Sequence, residues 1–302
     1  YMNQYDKLFK HVIPTSMEGI IIFGSDDEYL KPQHYEKITV IENKIWSDLY
    51  SDVSSLFYQY ASKEFLAGIN KLQIPKNHFP NLDSISKEIK KSTNWELITV
   101  AGFLTEDLFF DLNAKRKFPV TDIIRKSPRF DEKYSDKKIA NDSGYTPEPD
   151  IFHDVQGHVP FLMDKKYSNF LHDVGILGDK ILKNKFGFSN DLIEHNLKRL
   201  QNFAWWTYEF GLLKKEINNN SNDIDYEIYG AGILSSRSEI MNIVNCAKKL
   251  SNKSVFLPYD IKEIIMTCFN YSNIQDRYYV IDSMDSLYKS FYENQHLFLY
   301  EG

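Results

Sequence analysis

The stretch PDIFHDVQGHVPFLMD, residues 149–164, sets two histidines five positions apart among apolar side chains. On an ideal helix of about 3.6 residues per turn, such positions face directions about 140° apart. The spacing of four found in zinc proteases suits joint metal binding better. Gly157 and Pro160 are expected to end the helix and free His158 to turn inward. The pair is therefore either part of a metal site or a polar helix end.

A second candidate ligand lies in NFAWWTYEFGLL, residues 202–213, where Glu209 is the only charged residue. The apolar side chains on all sides of this stretch predict a buried helix. A buried carboxylate without a partner is costly, so Glu209 needs a cation, either a buried arginine or a metal ion. Two histidines and one glutamate match the ligand set of non-haem Fe(II) oxygenases and also suit catalytic zinc. The ligands alone leave the metal open.

The composition indicates a globular protein and gives no sign of a nucleic-acid or membrane partner. Of the 302 residues, 42% are apolar and 15% aromatic, which is enough for a packed core. The net charge of -6 is spread along the chain without a basic block, so binding to nucleic acid or an anionic membrane is not expected. No apolar stretch is long enough to cross a bilayer. Cys246 and Cys268 are far apart, which argues against a disulfide framework and favours a cytoplasmic protein.

The spacing of apolar residues predicts a mainly α fold with small β elements, organised as a single domain over residues 1–302. The clearest patterns are helical at 35–60 and 189–217 and extended at 95–103 and 223–230. We expect residues 1–34 to form a variable N-terminal extension and 127–144 to form a long loop.

Five blocks of the chain, taken in order, form a pattern that can be compared with known families. They are VAGFLTEDLFFDLNAKRKFPVTDIIR (100–125), YTPEPDIFHDVQGHVPFLMD (145–164), WWTYEFGLL (205–213), YGAGILSSRSE (229–239) and YYVIDSMDSLY (278–288). The pattern resembles the pterin-dependent aromatic amino acid hydroxylases, most of all the bacterial phenylalanine 4-monooxygenases, from about Tyr35 to Leu287. It implies a single catalytic domain of the aromatic amino acid hydroxylase type. We expect no regulatory segment before these blocks and no tetramer-forming heptad tail after them.

The resemblance implies a non-haem Fe(II), tetrahydropterin-dependent monooxygenase that uses O₂ to hydroxylate the ring of a free aromatic amino acid. Phenylalanine is the first choice of substrate and tryptophan the second. The pterin would be tetrahydrobiopterin or a bacterial equivalent. The expected partners are the amino acid and the pterin alone, in a cytoplasmic monomer or weak dimer.

The resemblance also implies the site residues. His153, His158 and Glu209 match the iron ligands. The positions that match the pterin site are Gly102, Leu104, Phe109, whose ring would stack on the pterin, and Asp154, which would reach it through water. The positions that match the substrate site are Arg125, which would hold the amino acid carboxylate with the help of Thr146 and Asp150, the ring walls Pro149, Trp205 and Phe210, and Ser235, whose hydroxyl would support His153.

Several of these residues also have simpler interpretations. Phe109 lies in a helical aromatic pair that is typical of a packed core. Arg125 could be an ordinary surface charge. Ser235 or Ser236 could cap a helix that starts toward Glu239.

Three features depart from the pattern that is usual in the family. Ala204 stands where a tyrosine is common, Gln156 stands where an apolar residue is usual, and the stretch 126–145 is longer. They leave the substrate and the fine tuning of catalysis open. A zinc hydrolase with the same three ligands and a catalytically silent amino-acid-binding relative are the rival hypotheses. Metal analysis, and assays with iron, a tetrahydropterin and each aromatic amino acid, would separate them.

Overall fold

The computed structural model describes residues 12–17, 33–100, 104, 106–125, 149–215 and 224–302. The α-helices are Val40–Tyr60 (α1), Lys63–Leu72 (α2), Leu82–Thr93 (α3), Glu106–Ala114 (α4), Lys165–Leu182 (α5), Asn190–Ala204 (α6), Ala231–Leu234 (α7), Arg237–Ala247 (α8), Ile261–Ile264 (α9) and Met284–Glu293 (α10). Short 3₁₀ helices span Tyr35–Lys37, Val159–Met163 and Gln295–Phe298, and π-helices span His153–His158 and Trp205–Glu209. The prediction of a mainly α fold is confirmed.

The strands form three small sheets. They are Val12–Pro14 (β1), Glu96–Val100 (β2), Lys117–Thr121 (β3), Ile123–Arg125 (β4), Leu212–Lys214 (β5), Tyr226–Ile228 (β6), Val255–Pro258 (β7) and Arg277–Ile281 (β8). Strand β1 runs antiparallel to β4, and β2 runs parallel to β3. The third sheet has the order β6-β5-β8-β7. Within the predicted N-terminal extension, Val12 pairs with Arg125, and the predicted loop 127–144 lies outside the described residues.

Side chains at the helix starts explain where several helices begin. Thr39 and Glu42 form a capping box at the start of α1, and the Ser189 hydroxyl accepts the backbone N–H of Leu192 in the first turn of α6. The Ser236 hydroxyl caps α8 in the same way, as predicted for one serine of that pair. These caps satisfy backbone donors that have no partner within the helix.

One predicted helix was wrong at its C-terminal end. Instead of continuing through residue 217, the helix changes to π form at Trp205, and strand β5 begins at Leu212. Leu212 pairs with both β6 and β8 and is fully buried. Leu212 and Leu213 point to opposite faces and are both buried, so the strand begins without the alternation that identifies a strand and its sequence looks like a continuation of the buried helix.

A continuous core of buried aromatic and aliphatic side chains holds the site segments in place. In its centre the Phe170 ring of α5 contacts the rings of Phe203 on α6 and Phe291 on α10. The Trp206 indole N–H donates to the carbonyl of Thr267 at 2.8 Å, just after α6 ends. The segment that follows α6 is therefore rigidly placed. In the described ranges, no helix combines the length and hydropathy that a bilayer span requires.

Candidate active site

Both segments that contain the candidate ligands are π-helices, His153–His158 and Trp205–Glu209. In a π-helix the hydrogen bonds connect residues five apart, so two such residues lie almost one above the other. The prediction that Gly157 and Pro160 end the helix was wrong, because the chain continues as a π-helix through His158 and as a 3₁₀ helix through Met163. The spacing of five, unfavourable on an α-helix, suits this wider turn, and π-helical turns are frequent at functional sites.

Three donor atoms from these segments converge. His158 Nε2 lies 3.0 Å from Glu209 Oε1, His153 Nε2 lies 3.5 Å from Glu209 Oε2, and the two Nε2 atoms are 3.1 Å apart. Bonds of about 2.1 Å that leave one metal ion at right angles would place adjacent ligand atoms about 3.0 Å apart. The spacing therefore suits ligands that share one ion. No other group of three such side chains converges in this way among the described residues.

Ser235 determines which nitrogen of His153 can bind a metal. The Ser235 hydroxyl lies 3.0 Å from His153 Nδ1 and donates its own proton to the Ala231 carbonyl at 3.0 Å. With the hydroxyl proton on the Ala231 carbonyl, the oxygen accepts from Nδ1, and the lone pair of a neutral His153 ring is then on Nε2. The glycine at position 157 allows the π-helix to pack closely against the segment that contains Ala231 and Ser235. A Cβ atom at that position would lie 2.6 Å from the Ala231 carbonyl oxygen.

Burial and mutual pairing set the charges of the three candidate ligands. Burial lowers the pKa of His153 to about 4, although the Glu209 charge opposes it. Burial would also lower the pKa of His158, but the charge and hydrogen bond of Glu209 outweigh it and raise that pKa. Burial opposes ionisation of Glu209, yet His158 lowers its pKa. A metal ion requires both imidazoles to be neutral and Glu209 to be ionised, so the lowered pKa values of His153 and Glu209 favour binding, whereas the raised pKa of His158 makes a proton compete with the metal there.

Arg125 is buried and is bonded to Asp150 rather than to Glu209. Its Nε and Nη2 donate to the two Asp150 carboxylate oxygens at 2.9 and 2.7 Å, and its Nη1 donates to the Ser235 carbonyl at 2.9 Å. A guanidinium has five N–H donors. The described part of the chain uses three of them, so two remain for a ligand. The surface-charge interpretation of Arg125 was wrong, since the residue is 5% exposed. The arginine therefore does not supply a cation to Glu209, whose partners in the described part of the chain are the two histidines, where a metal could also bind.

The arginine is tied to the first histidine by two routes. Asp150 Oδ1 accepts the backbone N–H of His153 at 2.9 Å as well as the Arg125 Nη2 proton. Ser235 contacts Arg125 through its carbonyl and His153 through its hydroxyl. Burial alone would raise the pKa of Asp150, but the Arg125 charge lowers it, so the carboxylate stays ionised. The distance between the arginine and His153 is therefore held by fixed bonds.

A cavity of about 380 Å³ joins these groups, a volume within the range of small-molecule sites. Of the residues predicted for the site, the cavity wall contains Leu104, Phe109, Arg125, Pro149, His153, Asp154, His158, Trp205, Glu209, Phe210 and Ser235. Asp150 lies behind the wall and holds Arg125. Gly102 and Thr146 lie outside the described residues.

Phe109 and Asp154, together with Leu104, are the residues of the predicted pterin side that border the cavity. Phe109 is half-buried, contacts the Phe110 ring at 5.7 Å and borders the cavity, so it packs in the core and also faces the site. Asp154 accepts the backbone N–H of Thr121 at 2.8 Å. Burial raises the pKa of Asp154 to about 7, although the Thr121 N–H opposes this. The roles of both residues stay predictions.

Aromatic rings form another part of the wall. The Trp205 ring stacks on the Phe210 ring at 4.6 Å and on the Phe269 ring at 4.2 Å. Phe269 was not predicted, because it lies in the irregular segment between α9 and β8, outside the five sequence blocks. Gln201 and Gly232 also border the cavity and were not predicted. Gln201 lies one helical turn before Trp205, on the same face of the helix. That spacing from a predicted wall residue was a signal that could have identified it.

The two unusual residues of the site differ in their placement. Ala204 borders the cavity, directly before the π-helix of Glu209. Gln156 is fully buried between the two histidines but does not border the cavity. Its side-chain amide has no hydrogen-bond partner among the described residues. We find no structural reason for a polar residue there.

Comparison with known proteins shows which enzymes the chain is similar to. The family model described as biopterin-dependent aromatic amino acid hydroxylase matches residues 31–296. The chain is 31% identical to the phenylalanine-4-hydroxylase of Caulobacter vibrioides over 87% of this chain and 78% of that protein. It is 28% identical to the enzyme of Chromobacterium violaceum over 92% of this chain and 82% of that protein. The crystal structure of the latter with iron and phenylalanine bound has a TM-score of 0.71 and 27% identity, and covers 92% of this chain and 88% of that chain.

Proposed function

Because the chain belongs to the biopterin-dependent aromatic amino acid hydroxylases, we propose that it hydroxylates the ring of free phenylalanine to give tyrosine, using Fe(II), a tetrahydropterin and O₂. We assign the iron to His153, His158 and Glu209. One observation supports this most strongly: the three donor atoms, a buried arginine and an aromatic wall border the same cavity.

The donor set fits iron. Two imidazole nitrogens and one carboxylate leave other coordination positions open, which is the arrangement of non-haem Fe(II) oxygenases. When bound, the iron and the pterin supply the electrons that activate O₂ for insertion of one oxygen atom into the aromatic ring. The protein's part is to hold the ligands in the required protonation state. Ser235 does this for His153 by accepting the Nδ1 proton.

Arg125 is assigned to the carboxylate of the amino acid. Its two remaining N–H groups can form a charge-assisted pair with that carboxylate. Since Asp150 and Ser235 tie Arg125 to His153, the substrate is held at a fixed distance from the metal ligands. Fixing one end of the substrate places its ring for reaction at the other end.

The aromatic wall is assigned to the substrate ring. Trp205, Phe210 and Phe269 give this part of the cavity flat apolar faces, against which an aromatic ring packs well. Such a wall also keeps water away from the reacting groups. Pro149 completes the assigned substrate residues on the cavity wall.

The pterin is assigned to the part of the wall that contains Leu104, Phe109 and Asp154. The Phe109 ring would stack on the flat pterin ring, and Asp154 would reach the pterin through water. Relatives named phenylalanine-4-hydroxylase support phenylalanine as the substrate, and tryptophan remains second. A cytoplasmic monomer or weak dimer stays a prediction.

The decisive experiment tests activity and metal together. Protein purified without added metal is analysed for iron and zinc and then incubated with Fe(II), a tetrahydropterin, O₂ and each aromatic amino acid. We expect tyrosine from phenylalanine, one pterin oxidised per product, and no activity with zinc. Binding of phenylalanine without turnover would favour the catalytically silent relative, and protein that retains zinc and consumes no oxygen with a pterin would favour the hydrolase.

A further inference from the structure

We propose that Gln275 and Glu239 are positioning residues that fix the orientation of the Trp205 ring on the substrate wall. This inference rests on the proposed function, because it takes the Trp205 wall to contact the aromatic ring of the substrate. Neither residue borders the cavity, and neither was predicted as part of the site.

Stacking alone does not fix the Trp205 ring. The indole is nearly parallel to the Phe269 ring, at 9°, and to the Phe210 ring, at 29°. At these separations the two phenyl rings must lie on opposite faces, so the indole is held between them. Stacked rings can still slide and turn in their own plane, because the contact has little directionality. A hydrogen bond from Trp205 Nε1 to Gln275 Oε1, 3.0 Å long, removes that freedom.

The Gln275 amide can face the indole in only one way. Its Nε2 donates to the carbonyls of Asn270 and Asn273 at 3.1 and 2.8 Å, so Oε1 must point toward the Trp205 N–H. The backbone carbonyl of Gln275 accepts the Ser254 hydroxyl proton at 2.6 Å. The side chain is 4% exposed, while residues 270–273 around it are exposed. Gln275 is thus the buried anchor of an otherwise exposed segment.

Glu239 in turn holds the backbone of Gln275. Its Oε1 accepts the Gln275 backbone N–H at 3.0 Å, and its Oε2 accepts the Tyr278 hydroxyl proton. Glu239 is fully buried, and both of these partners are neutral. A buried carboxylate without a cation is costly, so packing alone does not explain its presence on α8. The carboxylate fixes the segment that supplies both Phe269 and Gln275 to Trp205.

A loosened wall should affect the amino acid more than the metal or the pterin. The chain of bonds from Glu239 ends at Trp205 and, in the described part of the protein, includes neither Arg125 nor Phe109. Loss of a neutral hydrogen bond of about 1 kcal/mol corresponds to about a fivefold change in affinity. A mobile ring wall should also let the pterin be oxidised without ring hydroxylation.

The test is a double-mutant cycle on the holoenzyme with Gln275→Met and Trp205→Phe. Methionine keeps the side-chain length and removes the acceptor, and phenylalanine keeps a stacking ring and removes the donor. We expect Gln275→Met to raise the KM for phenylalanine about fivefold and to lower the ratio of tyrosine formed to pterin oxidised. In the Trp205→Phe background, the same change should have less than half that effect. Iron content and the KM for pterin should stay unchanged.

Control variants separate positioning from stability. Asn273→Ala alters an exposed side chain in the same segment and should leave all parameters unchanged. Glu239→Gln keeps an acceptor for the Gln275 N–H and should stay near wild type, whereas Glu239→Met should reproduce the effect of Gln275→Met. If Gln275→Met does not fold, Gln275→Asn replaces it, because the shorter amide cannot span the same contact.

Two outcomes would overturn the inference. One is a lowered melting temperature with unchanged KM and coupling ratio, and the other is an equal effect of Gln275→Met in both backgrounds. Calorimetric titration of every variant with phenylalanine and tryptophan keeps the result separate from the proposed function. If the wild type binds an amino acid but makes no product, the proposed function fails, and the binding constants still decide the role of Gln275.

Discussion

Replacement of Ser235 by alanine should weaken iron binding by about 10- to 100-fold, the usual effect of removing a group that orients a metal ligand. In the wild type the hydroxyl accepts the His153 Nδ1 proton at 3.0 Å. Alanine leaves that N–H buried without this acceptor, at a cost of about 1 to 3 kcal/mol, or about 5- to 150-fold in affinity. The Ala231 carbonyl keeps its helical partner, the Ser235 N–H at 3.1 Å, so the fold should be little affected.

The assay is an anaerobic titration of metal-free protein with Fe(II) against a competing chelator. The neighbouring variant Ser236→Ala is the matched control, because the Ser236 hydroxyl caps α8 by accepting the Glu239 N–H at 3.3 Å. It should lower the free energy of unfolding by about 1 kcal/mol and leave iron affinity near the wild-type value. Equal iron affinity in Ser235→Ala and the wild type would refute the tautomer argument. An equal loss in both variants would show that the effect comes from local stability.

Three further predictions use other parts of the site. Glu209→Ala should lose most of its bound iron and all ring hydroxylation, because a metal ligand and its negative charge beside the two histidines are removed; normal iron content by metal analysis would contradict the assignment. Arg125→Lys should weaken phenylalanine binding by about 10- to 150-fold, since three ammonium donors cannot serve Asp150, Ser235 and the substrate as the guanidinium does; calorimetry should show this with unchanged iron content. Burial raises the pKa of Glu239 from 4.5 to about 7, so between these values the folded chain binds a proton that the unfolded chain lacks, and the free energy of unfolding falls as pH rises. Glu239→Gln should remove that fall in denaturant titrations at pH 5 and 7.5, and an unchanged pH dependence would count against the shifted pKa.

The chemical identity of the metal site could be predicted from sequence because it depends on residue type. A lone carboxylate in an apolar stretch needs a positive partner if the stretch is buried, whatever the path of the rest of the chain. Residue type therefore made Glu209, with His153 and His158, a candidate metal site or the partner of a buried arginine, and the resemblance of the five blocks to one family implied the iron ligands. The helix start at Ser236 was also predictable, since capping depends on a local contact between neighbouring residues.

Other features depended on contacts between distant segments. The spacing of five between the histidines looks unfavourable on a regular helix, and only the π-helical turn brings both rings to Glu209. Strand β5 looked like helix because a strand buried on both sides lacks the alternation that identifies strands. The burial of Arg125 could not be predicted, because Asp150 and Ser235 reach it from elsewhere in the chain.

By itself, the sequence determined which side chains are candidate metal ligands, that the fold is mainly helical, and which family's site residues to expect. Those properties follow from the chemistry and the local pattern of single side chains. Only the tertiary structure decided that Ser235 selects the His153 tautomer, that Phe269 joins the aromatic wall, and that Glu239 and Gln275 hold Trp205. The physical reason is that a hydrogen bond or a stacked ring depends on distances of about 3 to 5 Å between residues far apart in the chain, which composition and periodicity do not encode.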